Sequence, residues 1–288
     1  MQNYVIHTDS GCDISPQLLR QWGVSCTDLT LTFQGEDKEY ACPEIPITEF
    51  YEKMRRGGVA KTAAANIATF VKAFEPYLQQ GQDILYLGFS SGLSTTYNSA
   101  RIAAQQLGQK YPERKLLAVD TLAASAGQGL LLYLAAQKKA QGASVTETAA
   151  YIEGLIPKLA HWFTVDDLEY LKRGGRVSPT VAFVGGLLGI KPVLHVDDEG
   201  HLIKVSTARG RKRSLEALAD KYGELALTPG EGAVFISHGD CLPDAQALAE
   251  TLKARFGVTV ELITDIGPII GAHSGPGTLA LFFVAKQR

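Results

Sequence analysis

Between Asp83 and Leu107 the hydrophobic pattern changes period within a few residues. Ile84-Leu85-Tyr86-Leu87 is a short apolar run with the composition of a buried strand. Tyr97, Ala100, Ala103, Ala104 and Leu107 then fall at helical spacing, and Gly108 stops them. Between the two lies Gly88-Phe89-Ser90-Ser91-Gly92-Leu93-Ser94-Thr95-Thr96, a small, hydroxyl-rich turn at the mouth of a helix. Backbone N–H groups there have no partner within the helix, so with the hydroxyls they can receive a carboxylate or a phosphate. The same turn also matches G-x-S-x-G between strand and helix, the setting of a nucleophilic serine. It can therefore bind or attack.

The first half of the chain repeats this alternation. Tyr4–Thr8 reads as a strand ending in the turn Asp9-Ser10-Gly11-Cys12-Asp13, and Ser15-Pro16 starts a helix that Gly23 ends. Val24–Phe33 reads as one strand and Glu36–Pro46 as a polar connection. Thr48 is the expected cap of a short helix that Gly57-Gly58 breaks. Lys61–Asn66 reads as a connection to a helix bearing Phe70, Val71 and Phe74. Leu116–Val119 is a strand ending at Asp120-Thr121, followed by a long apolar helix from about Ser125 to Lys139. Ser144-Val145-Thr146-Glu147 matches a capping box. Such alternation predicts an open, mainly parallel sheet whose ligands lie outside the carboxyl ends of its strands. The turns at Asp9-Ser10, Ser90–Ser94 and Asp120-Thr121 should therefore crowd together.

After Ala160 the texture changes. Trp162–Val165 reads as a strand, Asp167–Lys172 as a short helix, and Val181–Ile190 as an apolar, glycine-interrupted run. Pro192–Val196 and Leu202–Thr207 form an expected hairpin. Two amphipathic helices, with strands at Ala233–Ser237 and Val258–Thr264, lead to a glycine-rich turn at Gly267–Gly277 and a final strand, Leu279–Val284. The expectation is two α/β domains, residues 1–160 with the mainly parallel sheet and 161–288 with a mixed or antiparallel one.

Bulk properties narrow the function. Among 288 residues, 20% are charged and the formal net charge is -2, so no basic field invites nucleic acid. The apolar runs Gly129–Ala136 and Val181–Ile190 are far shorter than the roughly 20 residues that span a membrane. The N-terminus runs directly into a strand, which predicts no signal peptide. Cys12, Cys26, Cys42 and Cys241 are far apart, as expected of free thiols in a reducing cytosol. No dinucleotide fingerprint, Walker-type loop or metal-ligand histidine spacing is present.

Two readings of the site follow from the residues. In a serine hydrolase, Ser90 would attack with His238 or His273 as base and Asp240 or Asp265 as the open candidates for the acid, although no acid obviously backs either histidine and the strands that usually precede such an elbow are missing. In a binding protein the turn holds an anion. His7, His161, His195, His201 and His238 read as strand or loop histidines, while glycines surround His273 in Gly271–Gly277. Arg173 and Arg176 flank Gly174-Gly175, and Arg209 begins a basic cluster that suits either a solvated edge or a phosphate or acidic surface.

The ordered set Thr8-Asp9-Ser10 with Asp13, Lys61-Thr62, Ser90-Ser91-Gly92-Leu93-Ser94 with Thr96-Tyr97, Val119-Asp120-Thr121, Leu171–Ser178, Gly189–Pro192, Arg209 and Ala272–Gly277 resembles the DegV family of bacterial fatty-acid-binding proteins over essentially the whole chain. That family includes the fatty-acid-carrying subunits of bacterial fatty acid kinase. The resemblance implies two α/β domains with a long-chain fatty acid in a tunnel between them, serving phospholipid metabolism. It implies carboxylate binding by Thr62 and Ser94, support from the Ser90, Ser91 and Gly92 turn, and contact with a kinase subunit or phosphate through Arg209 and His273. It implies no catalytic residue, metal or cofactor in this chain, since the partner would supply the ATP site. The physical reading agrees, because two neutral hydroxyls with N–H groups at a helix start can hold a carboxylate. The chain has Ala63-Ala64-Ala65-Asn66 where the family commonly continues its K-T motif with S-Q-P, and Thr95 where glycine is usual.

Overall fold

The computed structural model describes residues 3–42, 44–177 and 189–288. A four-stranded parallel sheet is built from β1 (Tyr4–Asp9), β2 (Val24–Thr27), β6 (Asp83–Gly88) and β7 (Leu116–Asp120), in the order β2-β1-β6-β7. A six-stranded mixed sheet contains β8 (Leu159–Thr164), β9 (Ile190–Val196), β10 (Leu202–Arg209), β11 (Val234–His238), β12 (Leu262–Asp265) and β13 (Leu279–Val284), in the order β10-β9-β8-β13-β11-β12. Only β11 and β12 run parallel in it. The two α/β domains expected from the sequence are thus present, one with a parallel sheet and one with a mixed sheet.

Helix α5 (Ala126–Ala140) packs on β1 and β6 of the first sheet and on β8, β11 and β13 of the second. Its composition requires this. Leu130, Leu131 and Leu132 are consecutive, so they point about 100° apart around the helix, and all three are fully buried. A helix that is apolar all round must be covered all round. Helix α6 (Val145–Leu155) lies beside α5, opened by the expected capping box of Ser144 and Glu147. Helices α3 (Ile67–Gln79) and α4 (Thr96–Lys110) cover the far face of the parallel sheet, and α8 (Arg211–Leu225) and α9 (Leu242–Phe256) that of the mixed sheet.

Four expectations need correction. Val24–Phe33 is two strands, because the chain turns at Asp28-Leu29, where the Leu29 N–H donates to Ser10 Oγ at 2.8 Å. Its second part, β3 (Thr30–Phe33), joins β4 (Glu39–Ala41) and β5 (Ala60–Ala63) in a separate antiparallel sheet, β4-β3-β5, so the stretches read as connections hold strands. Helix α2 (Ile47–Arg55) starts after Pro46 with no side-chain cap, not at Thr48. The glycine-rich stretch near the C-terminus contains helix α10 (Pro268–Ser274), beside the short α7 (Glu169–Arg173). There a Cβ on Gly271 would lie 2.7 Å from the Tyr51 hydroxyl and 2.9 Å from Phe50, so this glycine serves close packing rather than a turn. Of the run Val181–Ile190, residues 181–188 lie outside the described residues.

Leu131 is fully buried within the apolar cluster between the sheets. Leu131→Ala should lower unfolding free energy by about 2–5 kcal/mol, read as a lower urea midpoint with an unchanged slope.

Candidate functional site

The three turns at the carboxyl ends of the parallel strands do meet. Asp9, fully buried, accepts from Tyr86 OH at 2.6 Å, Phe89 N at 3.0 Å and Gly11 N at 3.0 Å. Burial raises its pKa, and these donors oppose the shift. Asp120 Oδ1 accepts from Ser91 N at 3.2 Å and Leu122 N at 3.1 Å. Thr121 Oγ1 donates to Gly88 O at 2.7 Å, and Ser90 N to Ala123 O at 2.9 Å. Two strand-end carboxylates, the buried Asp9 and the half-buried Asp120, therefore fix the shape of the Ser90–Ser94 turn.

That turn borders a cavity of about 360 Å³ between the sheets, in the size range of small-molecule sites. Ser91 and Ser94 line it, as do Thr62 from β5 and His273 from α10. Thr62 Oγ1 lies 2.8 Å from His273 Nε2. Burial and the nearby Arg176 push the His273 pKa down to about 4, so the ring is neutral near pH 7. Gly174 leaves room for it, since a Cβ there would overlap His273 Nδ1. Ser94 Oγ accepts from Thr96 N at 3.2 Å and lies 2.9 Å from Thr96 Oγ1. Arg176, also on the cavity wall, donates through Nε to Leu93 O at 3.2 Å. Hydroxyls, a neutral imidazole and one guanidinium thus share a wall, while Phe163, Val196, Leu202 and Phe282 make the rest largely apolar.

Ser90 and Gly92 do not line the cavity; they hold the second sheet's hairpin against the turn. Ser90, fully buried, donates to Gly200 O at 2.9 Å and accepts from Gly92 N at 3.2 Å. A Cβ on Gly92 would lie 2.8 Å from Glu199 O, so only glycine lets the β9–β10 turn approach. No histidine bonds Ser90. His238 Nδ1 accepts from Cys241 N and His273 pairs with Thr62, so the geometry does not assemble a serine nucleophile. Arg209 is exposed at the end of β10, away from the cavity wall. Among the described residues no cluster of His, Cys, Asp or Glu could hold a metal, and no helix is long and apolar enough to cross a membrane.

Residues the sequence did not single out also meet the cavity. Ser125 lines it and donates to Asp13 Oδ2 at 2.6 Å, while Asp13 Oδ1 accepts from Gly267 N, which precedes α10, at 2.9 Å. Burial raises the Asp13 pKa to about 7. Ser274, Thr278 and His161 line it as well. Their only sequence signal was position, at a helix start, in the glycine-rich stretch and on a strand.

A family model described as "Uncharacterised protein, DegV family" matches residues 3–286. The chain belongs to the DegV family. A DegV domain-containing protein of Clostridium perfringens is 44% identical, covering 100% of this chain and 99% of its own. Among solved structures, a fatty-acid-binding DegV family protein of Thermus thermophilus superposes with a TM-score of 0.88 at 30% identity, covering 99% of this chain and 100% of the other. A DegV lipid-binding protein of Thermotoga maritima gives 0.87 at 29% identity with 100% of both chains covered. The Thermus protein binds fatty acid and the Thermotoga protein binds lipid.

With its pKa below the unfolded value near 6.5, His273 contributes stability that is complete above pH 6.5 and lost as pH falls toward 4. His273→Gln should flatten that part of the profile, seen as a smaller fall in melting temperature between pH 7 and pH 4 than wild type shows.

Proposed function

We propose that the chain binds a long-chain fatty acid, with the acyl chain in the cavity between the sheets and the carboxylate at Thr62 and Ser94. The observation that carries this reading is the composition of one cavity, whose hydroxyls, neutral imidazole and single guanidinium stand beside a largely apolar wall. Affinity comes from the chain, at about 0.8 kcal/mol per buried CH₂. The carboxylate is oriented by hydroxyl donors, with His273 fixing the Thr62 hydroxyl and Arg176 adding positive charge. Related DegV proteins of known structure that bind fatty acids support the assignment. The division into residues 1–160 and 161–288 belongs to the same reading, with the ligand held where the two domains meet.

The further step in this reading is presentation of the carboxylate to a partner fatty acid kinase, whose subunit would bring ATP, within a reducing cytoplasm and toward phospholipid synthesis. Arg209, exposed and outside the cavity, then serves as the contact for the kinase or the transferred phosphate, and His273 sits at the reacting end. This chain contributes no catalytic group.

In a fatty acid titration followed by intrinsic fluorescence or calorimetry, Thr62→Ala and Ser94→Ala should each weaken binding about tenfold or more, the cost of losing a hydrogen bond to a charged group. Their melting temperatures without ligand should stay near wild type. Normal binding by both variants would refute the carboxylate assignment. With a bacterial fatty acid kinase ATP-binding subunit added, Arg209→Ala should abolish acyl phosphate formation and keep full lipid affinity. Unchanged acyl phosphate formation would remove Arg209 from the kinase contact.

A further inference from the structure

One carboxylate ties two walls of the cavity together from behind. Asp13 follows β1 with a left-handed backbone, at a φ of 53°, and is 8% exposed. Its Oδ2 accepts from Ser125 Oγ at 2.6 Å and its Oδ1 from Gly267 N at 2.9 Å. Thr264 Oγ1 donates to its backbone carbonyl at 3.0 Å. A Cβ on Gly267 would lie 2.7 Å from Oδ1, so glycine lets the carboxylate reach that N–H. Gly267 caps α10, whose Ile269, Ile270 and His273 line the cavity, and Ser125 lines it from the start of α5. His273 stands on α10 about 9 Å of helix rise beyond Gly267.

The charge on this carboxylate is unbalanced. Among the described residues no cation pairs with it, and the charge that acts on it is the like one of Asp265, at the end of β12. Cys12 of its own turn, Cys42 and Tyr51 of α2 are the other titratable groups that face it, and Arg20 and Asp28 share with it the lining of a second cavity of about 590 Å³. Ser125 does not border that second cavity, so Asp13 meets solvent on one side and the wall of the first cavity on the other. A proton arriving on Oδ2 has a place to go. Asp13 then donates to Ser125 Oγ, Ser125 turns its own proton to Ser237 Oγ at 2.9 Å, and Oδ1 still accepts from Gly267 N.

We propose that Asp13 is the positioning residue of the head-group end: it holds α10 and Ser125 in place for a bound carboxylate, and it takes up a proton from solvent when that anion arrives. This rests on the fatty-acid reading above. A negative head group beside Thr62 and His273 lies close enough to Asp13 for the two charges to repel in a protein interior, which favours the protonated acid. Burial already raises the Asp13 pKa to about 7. Binding therefore raises it further, and affinity is higher below pH 7 than above it.

The test is calorimetry with tetradecanoate kept below its micelle concentration, at pH 6, 7 and 8, in buffers of different ionisation enthalpy. The monomeric ligand is ionised throughout this range. Wild type should bind about fivefold more tightly at pH 6 than at pH 8 and take up roughly half a proton near pH 7. Asp13→Asn, which keeps the acceptor for Gly267 N, should match the pH 6 affinity of wild type at every pH and take up no proton. Asp13→Gly suits the left-handed backbone but releases α10, and should bind about tenfold more weakly at pH 6. Wild type without proton uptake, Asp13→Asn with the uptake of wild type, or Asp13→Gly with wild-type affinity overturns the proposal. Should neither variant fold, the wild-type profile decides, since a midpoint near pH 4 in place of pH 7 assigns the proton to His273 and overturns it equally. If wild type binds no fatty acid at any pH, the fatty-acid reading falls and this inference falls with it.

Discussion

The first half of helix α5, residues 126–132, has no side that tolerates water, and the placement of the two sheets follows from that. Three consecutive leucines and a run of alanine and glycine force it to be enclosed, so one sheet packs on each side. The glycines set the distance of approach. A Cβ on Gly127 would strike His161 of β8 and one on Gly129 would come 2.5 Å from Ile14 in the loop after β1, so neither could sit as close over a larger residue. The cavity lies just ahead of this enclosed half. Ala124 and Ser125 there border the cavity, and Ser125 ties Asp13 of the first half to Ser237 of the second. The cavity thus opens directly ahead of the enclosed half of the helix, whose far end reaches the surface at Gln137 and Ala140.

The chemistry of that cavity comes from elements far apart in sequence. Thr62 is on the small sheet, Ser94 at the start of α4, His273 on α10 and Arg176 just after α7. Hydrogen bonds from backbone N–H groups to three carboxylates bring them together. The Asp9 and Asp120 carboxylates shape the Ser90–Ser94 turn, and Asp13 holds the start of α10. Ser90, the residue most like a nucleophile, is spent on holding the hairpin, and the functional weight moves to Ser94 and Thr62.

The alternation of strand and helix was legible because those elements are long and apolar enough to show their period. The parallel sheet, the apolar central helix, the Ser15 cap and the Ser144 capping box could all be read from residues. The small antiparallel sheet could not. Its strands are three or four residues long, and β4 and β5 carry Glu39 and Lys61 on their exposed sides, so they look like loops. Helix α10 was hidden for a different reason, since Gly271 is required by the approach of Tyr51 and Phe50 yet reads as a breaker. His161 looked like an ordinary strand histidine. Only the assembled fold shows that it borders the cavity from β8 while its Nε2 presses on α5. Arg209 was read from a motif alone, and its exposed position offers no geometry to join it to the cavity.

The most direct test of the central claim is denaturing mass spectrometry of the protein as purified from a bacterial host. A cavity that buries an acyl chain between two sheets should retain its ligand through purification, and denaturation should release long-chain fatty acid in near-stoichiometric amount. A protein that releases no lipid, and whose melting temperature does not rise when long-chain fatty acids are added, would contradict the account.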